Sequence, residues 1–300
     1  MVWVDQIIEG ILLGGYYALL ACGLSFMFGV MRIINLAHGD LAVLGAFLVF
    51  AVANAFDLSP FVALIVVLPV MAVVGWALCR GVLERSLRAG MLVPLLSTFG
   101  LAIAIENILF EVWGADTRSL APMIDTLAYD SWSISEDLSI GRLALLIFAL
   151  AVVLLGGLHF FLARTPTGRA IRAVAEDADT AELVGINSRA VYGLAAGIAV
   201  ATVGLAGTLL AMRATFDPYS GPMQLIFAFE AVVIGGIGSL WGTLAGGIVL
   251  GIAQNIGAQF HPQGFLLGGH LVFLAILGGR IAISAYSGRR IARRAPAPRL

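Results

Sequence analysis

The chain has 300 residues, 60% of them hydrophobic and only 12% charged, with a mean hydropathy of +1.01. Soluble domains carry about a quarter charged residues, so this composition belongs to a bilayer protein. A net charge of -1 and a pI near 6.4 speak against a nucleic-acid partner.

A helical span needs about 20 mostly apolar residues. In chain order, such runs cover residues 7–31, 36–56, 60–79, 91–112, 143–163, 190–212, 222–239, 241–259 and 264–283. Two places disturb the count. Ile34-Asn-Leu-Ala-His-Gly-Asp40 is polar for a membrane segment, and Gly235-Gly-Ile-Gly-Ser-Leu-Trp-Gly242 is too rich in glycine for a plain helix. Each reads either as a broken or re-entrant helix or as a turn between spans. The predicted fold is therefore an all-α polytopic bundle of about eight to ten transmembrane helices. Residues 1–284 are expected to form one transmembrane domain, followed by an Arg- and Pro-rich tail over 285–300, expected to be disordered. Met1-Val-Trp-Val-Asp5 lacks the basic stretch of a signal peptide, so the first apolar run is expected to remain as a span.

Cytoplasmic loops retain positive charge. Arg80, Arg85 and Arg88 mark one such loop; Arg164, Arg169, Arg172 and Arg189 mark a second, over residues 164–189. Arg289, Arg290, Arg293, Arg294 and Arg299 place the C-terminus on the same side. The segment 113–142, with Asp116, Asp125, Asp130, Glu136 and Asp137 against two Arg, is expected outside.

The segments 39–47 and 242–249 each follow a polar or glycine-rich break with a small-residue apolar helix, a pattern that points to an internal repeat. In transporters, breaks of this kind lie near the substrate path. With 36 glycines, close packing through small residues is the competing explanation. Ionisable groups inside spans cost about 2.5–3.5 kcal/mol each on insertion scales and usually turn inward. Glu106, Glu111 and Glu230 are of this kind, with His38 and Asp40 at a break. Glu230 either lines a path or ties two helices together as a protonated acid, and Glu106 with Asn107 is expected to bond between helices. His38 reads as a hydrogen-bonder at a helix end more readily than as a proton carrier. No metal-ligand spacing, phosphate-binding loop or catalytic constellation is present in the sequence, and Cys22 and Cys79 read as buried free thiols. Gly238-Ser239 misses the Gly-x-Ser-Gly of intramembrane serine proteases, because Leu240 follows.

The hydrophilic loop 164–189 has structure of its own. Pro166 fixes the exit and Thr165 is placed to cap a first helix, with Arg169 and Arg172 on one face and Ile171, Val174 and Ala175 opposite. Asp177 or Asp179 caps a second helix that ends near Val184, with Gly185 as its stop. Two short helices, basic then acidic, suit a protein groove better than anionic lipid.

Asn35-Leu-Ala-His-Gly39, Gly168-Arg-Ala-Ile-Arg-Ala-Val-Ala-Glu-Asp177, Ala181-Glu-Leu-Val-Gly-Ile-Asn187 and Val233-Ile-Gly-Gly-Ile-Gly-Ser-Leu-Trp-Gly242 together resemble the LivH-type permeases of branched-chain amino acid ABC importers. The resemblance covers most of the chain in order and spacing. It implies an inner-membrane subunit that works with a second homologous permease, two ABC ATPases that bind ATP and Mg, and a periplasmic solute-binding protein. It also implies that Arg169, Arg172, Glu176, Asp177, Ala181, Leu183, Gly185, Ile186 and Asn187 contact an ATPase. By the same resemblance Asn35, His38, Gly39, Gly235, Gly236, Gly238 and Ser239 lie near the translocation path, to which the residue reading adds Glu230. The chain itself is expected to hold no cofactor, no metal and no catalytic residue. The reading from another class is a stand-alone ion-coupled carrier using Glu230, Asp40 and His38.

Overall fold

In lipid, a spanning chain satisfies its backbone groups only as helix or as closed barrel, and the long apolar runs here are helical. The computed structural model describes residues 2–90, 92–135 and 138–294. Its elements are α1 (Val2–Met31), α2 (His38–Phe56), α3 (Pro60–Leu78), a π-helical turn (Cys79–Leu83), α4 (Glu84–Ala89) and α5 (Val93–Trp113). A short 3-10 turn (Ala121–Met123), α6 (Thr126–Tyr129), β1 (Ser131–Ser135) and β2 (Leu138–Gly141) follow. The chain continues as α7 (Arg142–Arg164), α8 (Pro166–Glu176), α9 (Ala178–Leu183), α10 (Ser188–Arg213), α11 (Gly221–Gly235), α12 (Leu240–Phe260) and α13 (Gly264–Arg294).

Eight of the described helices are long and apolar enough to cross a membrane, so the protein is an all-α multi-pass membrane protein. The ninth expected span, 222–239, is instead the 15-residue α11, about 22 Å long against a hydrocarbon core of about 30 Å. Its shortness has a cause. Residues 214–220 turn back before α11 begins, with Asp217 accepting from the Tyr219 amide and Ser220 from the Asp217 amide.

The polar stretch before α2 is a second break of this kind. Arg32 takes a left-handed conformation, and Asn35 accepts from the Ala37 amide. The Leu36 amide donates to Thr98 of α5. His38 Nε2 bonds to the Leu20 carbonyl at 2.8 Å, so α2 starts roughly 16 Å back along α1 from the end of that helix. The segment 32–37 is thus re-entrant, and its freed backbone groups find protein partners. The glycine-rich 235–242 stretch behaves differently. Gly236 and Gly238 have positive φ and close a tight hairpin between α11 and α12, in which Gly235 lies against Gly242.

The helices pack as two similar halves. α1 lies along α12 through Gly10, Gly14, Gly247 and Gly251, and α10 lies along α3 through Gly75, Gly197 and Gly204. Each long helix, α1 or α10, is followed by a non-helical segment and then a shorter helix, α2 or α11. The segment 39–47 opens α2, and 242–249 lies in α12.

Other details depart from expectation. Asn107 donates to the Ile103 carbonyl of its own helix at 2.7 Å, so the expected interhelical bond at Glu106 and Asn107 is not made. The segment after α5 folds into an antiparallel hairpin, pairing Trp132 with Ile140, and Arg142 bonds to Asp130 at 2.9 Å. Glu136 and Asp137 of that segment lie outside the described residues. α13 runs on through Arg294 into the expected tail, whose final residues 295–300, including Arg299, also lie outside them.

Candidate functional site

Two places in the fold concentrate the residues singled out by sequence. The first is the α8–α9 loop. Thr165 accepts from the Gly168 amide at 2.9 Å, and Pro166 occupies the first helical turn, which needs no amide donor there. Gly168, Ile171 and Val174 are buried against α7, α1 and α10 and join a hydrophobic cluster with Phe26, Leu155, Leu158 and Ala195. Asp177, not Asp179, caps α9: its carboxylate accepts from the amides of Asp179 and Thr180 and from the Thr180 hydroxyl at 2.6 Å. Those bonds, the Thr180 hydroxyl foremost, hold the carboxyl below its usual range. Gly185 (φ +87°) stops the helix, and Asn187 caps α10 through the Ala190 amide.

This loop is therefore a fixed shape with two kinds of residue. Ala181 and Ile186 face the bundle, while Asp177, Gly185 and Asn187 set the corners. Arg169, Arg172 and Glu176 are exposed. Leu183 and its neighbour Val184 are 87% and 74% exposed, an apolar knob at the tip of an otherwise charged loop. Val184 was missed because sequence marks only the end of the helix there. Also missed was Glu84 on α4, which ties the loop's far end by bonding Arg189 at 2.8 Å. Glu182 and Ser188 add a hydrogen bond across the same corner.

The second place is the meeting point of the two interrupted helices. The first turn of α2 abuts the first turn of α11, with Gly39 against Gly221. A Cβ on Gly39 would come within 2.7 Å of the Gly221 carbonyl carbon and 2.9 Å of the Leu225 amide nitrogen. Asp40, 3% exposed, sits in the first turn of α2 and against Gly221, where the positive ends of both helices converge. One of its carboxylate oxygens has no partner among the described residues. Tyr16 donates to Gln224 in the same first turn of α11 at 2.6 Å, and the neighbouring Tyr17 donates to Gln254 of α12.

Glu230 lies further along α11, 3% exposed, and bonds His270 Nδ1 of α13 at 2.5 Å. It ties two helices together, through a side chain and not the backbone. The partnership joins residues far apart in sequence and carries no local signal. Of the remaining residues expected near a path, Asn35 and His38 are buried in hydrogen bonds to backbone, and Ser239 caps α12 through the Gly242 amide. Gly235 packs in the hairpin, while Gly236 and Gly238 shape its turn. These residues do not converge on one cavity. Among the described residues no cluster of His, Cys, Asp or Glu is able to hold a metal ion.

Helix starts that meet inside a membrane bundle, as those of α2 and α11 do, are a feature of transport proteins. The family model described as branched-chain amino acid transport system / permease component matches residues 6–277, and the chain belongs to that family. The chain is 31% identical to the high-affinity branched-chain amino acid transport system permease protein BraD of Pseudomonas aeruginosa, and 30% identical to LivH of Escherichia coli K12. Each alignment covers 86% of this chain and 87% of the relative. A further relative, the permease protein LivM of Escherichia coli K12, is 32% identical over 39% of this chain and 28% of its own length. No solved structure matches.

Proposed function

We propose that the protein is the membrane-spanning subunit of an ATP-binding-cassette importer of the bacterial inner membrane, moving branched-chain or related small amino acids inward. It works beside a second homologous permease, two ATPases that bind ATP and Mg, and a periplasmic solute-binding protein; its C-terminus is cytoplasmic. The carrying observation is the α8–α9 loop, an apolar knob of Leu183 and Val184 among exposed charges on a capped, bundle-anchored frame. Exposed large apolar side chains at the tip of an ordered loop fit insertion into a protein cleft. In this reading Arg169, Glu176, Leu183 and Val184 touch the ATPase, while Asp177, Ala181, Gly185, Ile186 and Asn187 hold the loop's shape. Asn35, His38 and Gly39, with Gly221, form a pivot between the interrupted helices, and the protein moves by rocking about it.

The relatives named above are components of transport systems, which disfavours a stand-alone carrier built on Glu230, Asp40 and His38. The test is Leu183→Asp with Val184→Asp in the assembled transporter. Loss of ATPase co-purification and of ATP-driven uptake, with the chain still inserted, is expected. Normal uptake by the double variant refutes the docking reading. Uptake by the chain alone in ATP-free vesicles under an ion gradient refutes the importer.

A further inference from the structure

Arg172 differs from the other exposed charges of the loop. It turns sideways, into a cavity of about 380 Å³ whose walls include Phe26 of α1, His159 and Leu162 of α7, and Ser239 and Trp241 at the start of α12. No acidic side chain lines this cavity among the described residues, and Arg172 makes no ion pair among them. Ser25, fully buried in the α1 wall, has a hydroxyl without a partner. The rest of the lining is apolar. The cavity lies at the last turns of α1 and α7, where these spans meet the water boundary. From it, Val153, Gly157 and Phe160 form an exposed stripe along α7 into the depth of the span.

A guanidinium stays charged and offers a planar fork of donors that matches phosphate. One cation without an ion-pair partner among the described residues, in a mainly apolar cavity that adjoins an exposed stripe on a membrane span, describes a receptor for an amphipathic anion. We propose that the cavity binds the phosphate headgroup of an anionic phospholipid, with Arg172 on the phosphate and an acyl chain along Val153, Gly157 and Phe160. The volume is at the small end of ligand sites, about 300–1,000 Å³, and suits a headgroup whose chains continue outside. This inference does not rest on the ATPase contact. It makes Arg172 a lipid ligand set beside the docking knob.

The full-length chain, purified in neutral detergent, is titrated with phosphatidylglycerol, diacylglycerol or glycerol 1-phosphate, and bound species are counted by native mass spectrometry. Wild type is expected to hold one phosphatidylglycerol roughly tenfold more tightly than diacylglycerol, which lacks the phosphate. Arg172→Gln removes that preference, and Ala163→Trp, which fills the cavity from α7, removes the bound lipid. Gel filtration and circular dichroism confirm that both variants are folded. Equal binding of the two lipids by wild type, or an undiminished preference in Arg172→Gln, overturns the proposal. Glycerol 1-phosphate binding as tightly as phosphatidylglycerol assigns the anion site to a soluble phosphate compound and overturns the lipid.

Discussion

The contact of α2 with α11 allows a sharp test, because Gly39 has no space for even one methyl group. In Gly39→Ala the new Cβ meets main-chain atoms of Gly221 and Leu225, and backbone at the start of a helix moves only if the helix moves. Overpacking a tight core typically costs about 1–3 kcal/mol. Here the upper end applies, because the obstacle is no flexible side chain that swings away. Gly100→Ala is the control: a Cβ there meets nothing within 4 Å, and its φ is not positive. That substitution gains helix propensity and is expected to be neutral or stabilising by up to about 1 kcal/mol. Unfolding in mixed detergent micelles, followed by circular dichroism, gives both values. Uptake by the reconstituted transporter then separates a weakened bundle from a blocked pivot. Should Gly39→Ala prove no less stable than Gly100→Ala, the two interrupted helices do not meet as described.

Three further outcomes are expected. His270→Ala leaves the buried Glu230 carboxyl without its partner and should destabilise by about 1–3 kcal/mol in the same assay, whereas His270→Leu with Glu230→Leu together should cost less. Gly185→Val forces a β-branched residue to φ +87° and should abolish ATPase stimulation, with Gly185→Asn retaining more of it because Asn tolerates that region. The Asp177 cap should resist acid. Its carboxyl is held below the ordinary value of 3.8, so its contribution is complete above that pH and is lost only as pH falls through the lowered value. Amide exchange at Asp179 and Thr180 should stay protected at pH 4, and Asp177→Ala should remove that protection at every pH.

Local chemistry decides how much of this was legible in the sequence. The loop was readable because each of its features is set by near neighbours: Thr165 bonds three residues on, Asp177 two and three, and Gly185 answers to its own φ. The long spans were readable because burial in lipid requires unbroken apolar runs. The re-entrant start of α2 was visible as polarity, since Asn35 and His38 are there to satisfy freed backbone. The matching break before α11 was hidden, because it is made with Asp217, Ser220 and two backbone bridges to Arg118, which look like an ordinary turn. Glu230 with His270 and Glu84 with Arg189 were hidden for another reason: each pair depends on which helices are neighbours.

The placement of α8 shows how the loop and the paired halves are connected. α8 is pressed through Gly168, Ile171 and Val174 onto α1 and α10 together, as well as onto α7. α1 and α10 are the long helices of the two halves, and each precedes a non-helical segment. Gly168 allows this approach, since a side chain there would run into the backbone of Leu162. A force applied at Leu183 and Val184 therefore reaches both halves at once, through helices locked by glycine contacts to α12 and α3. The same halves touch again at Gly39 and Gly221, where the two main chains are in contact and have little freedom to slide.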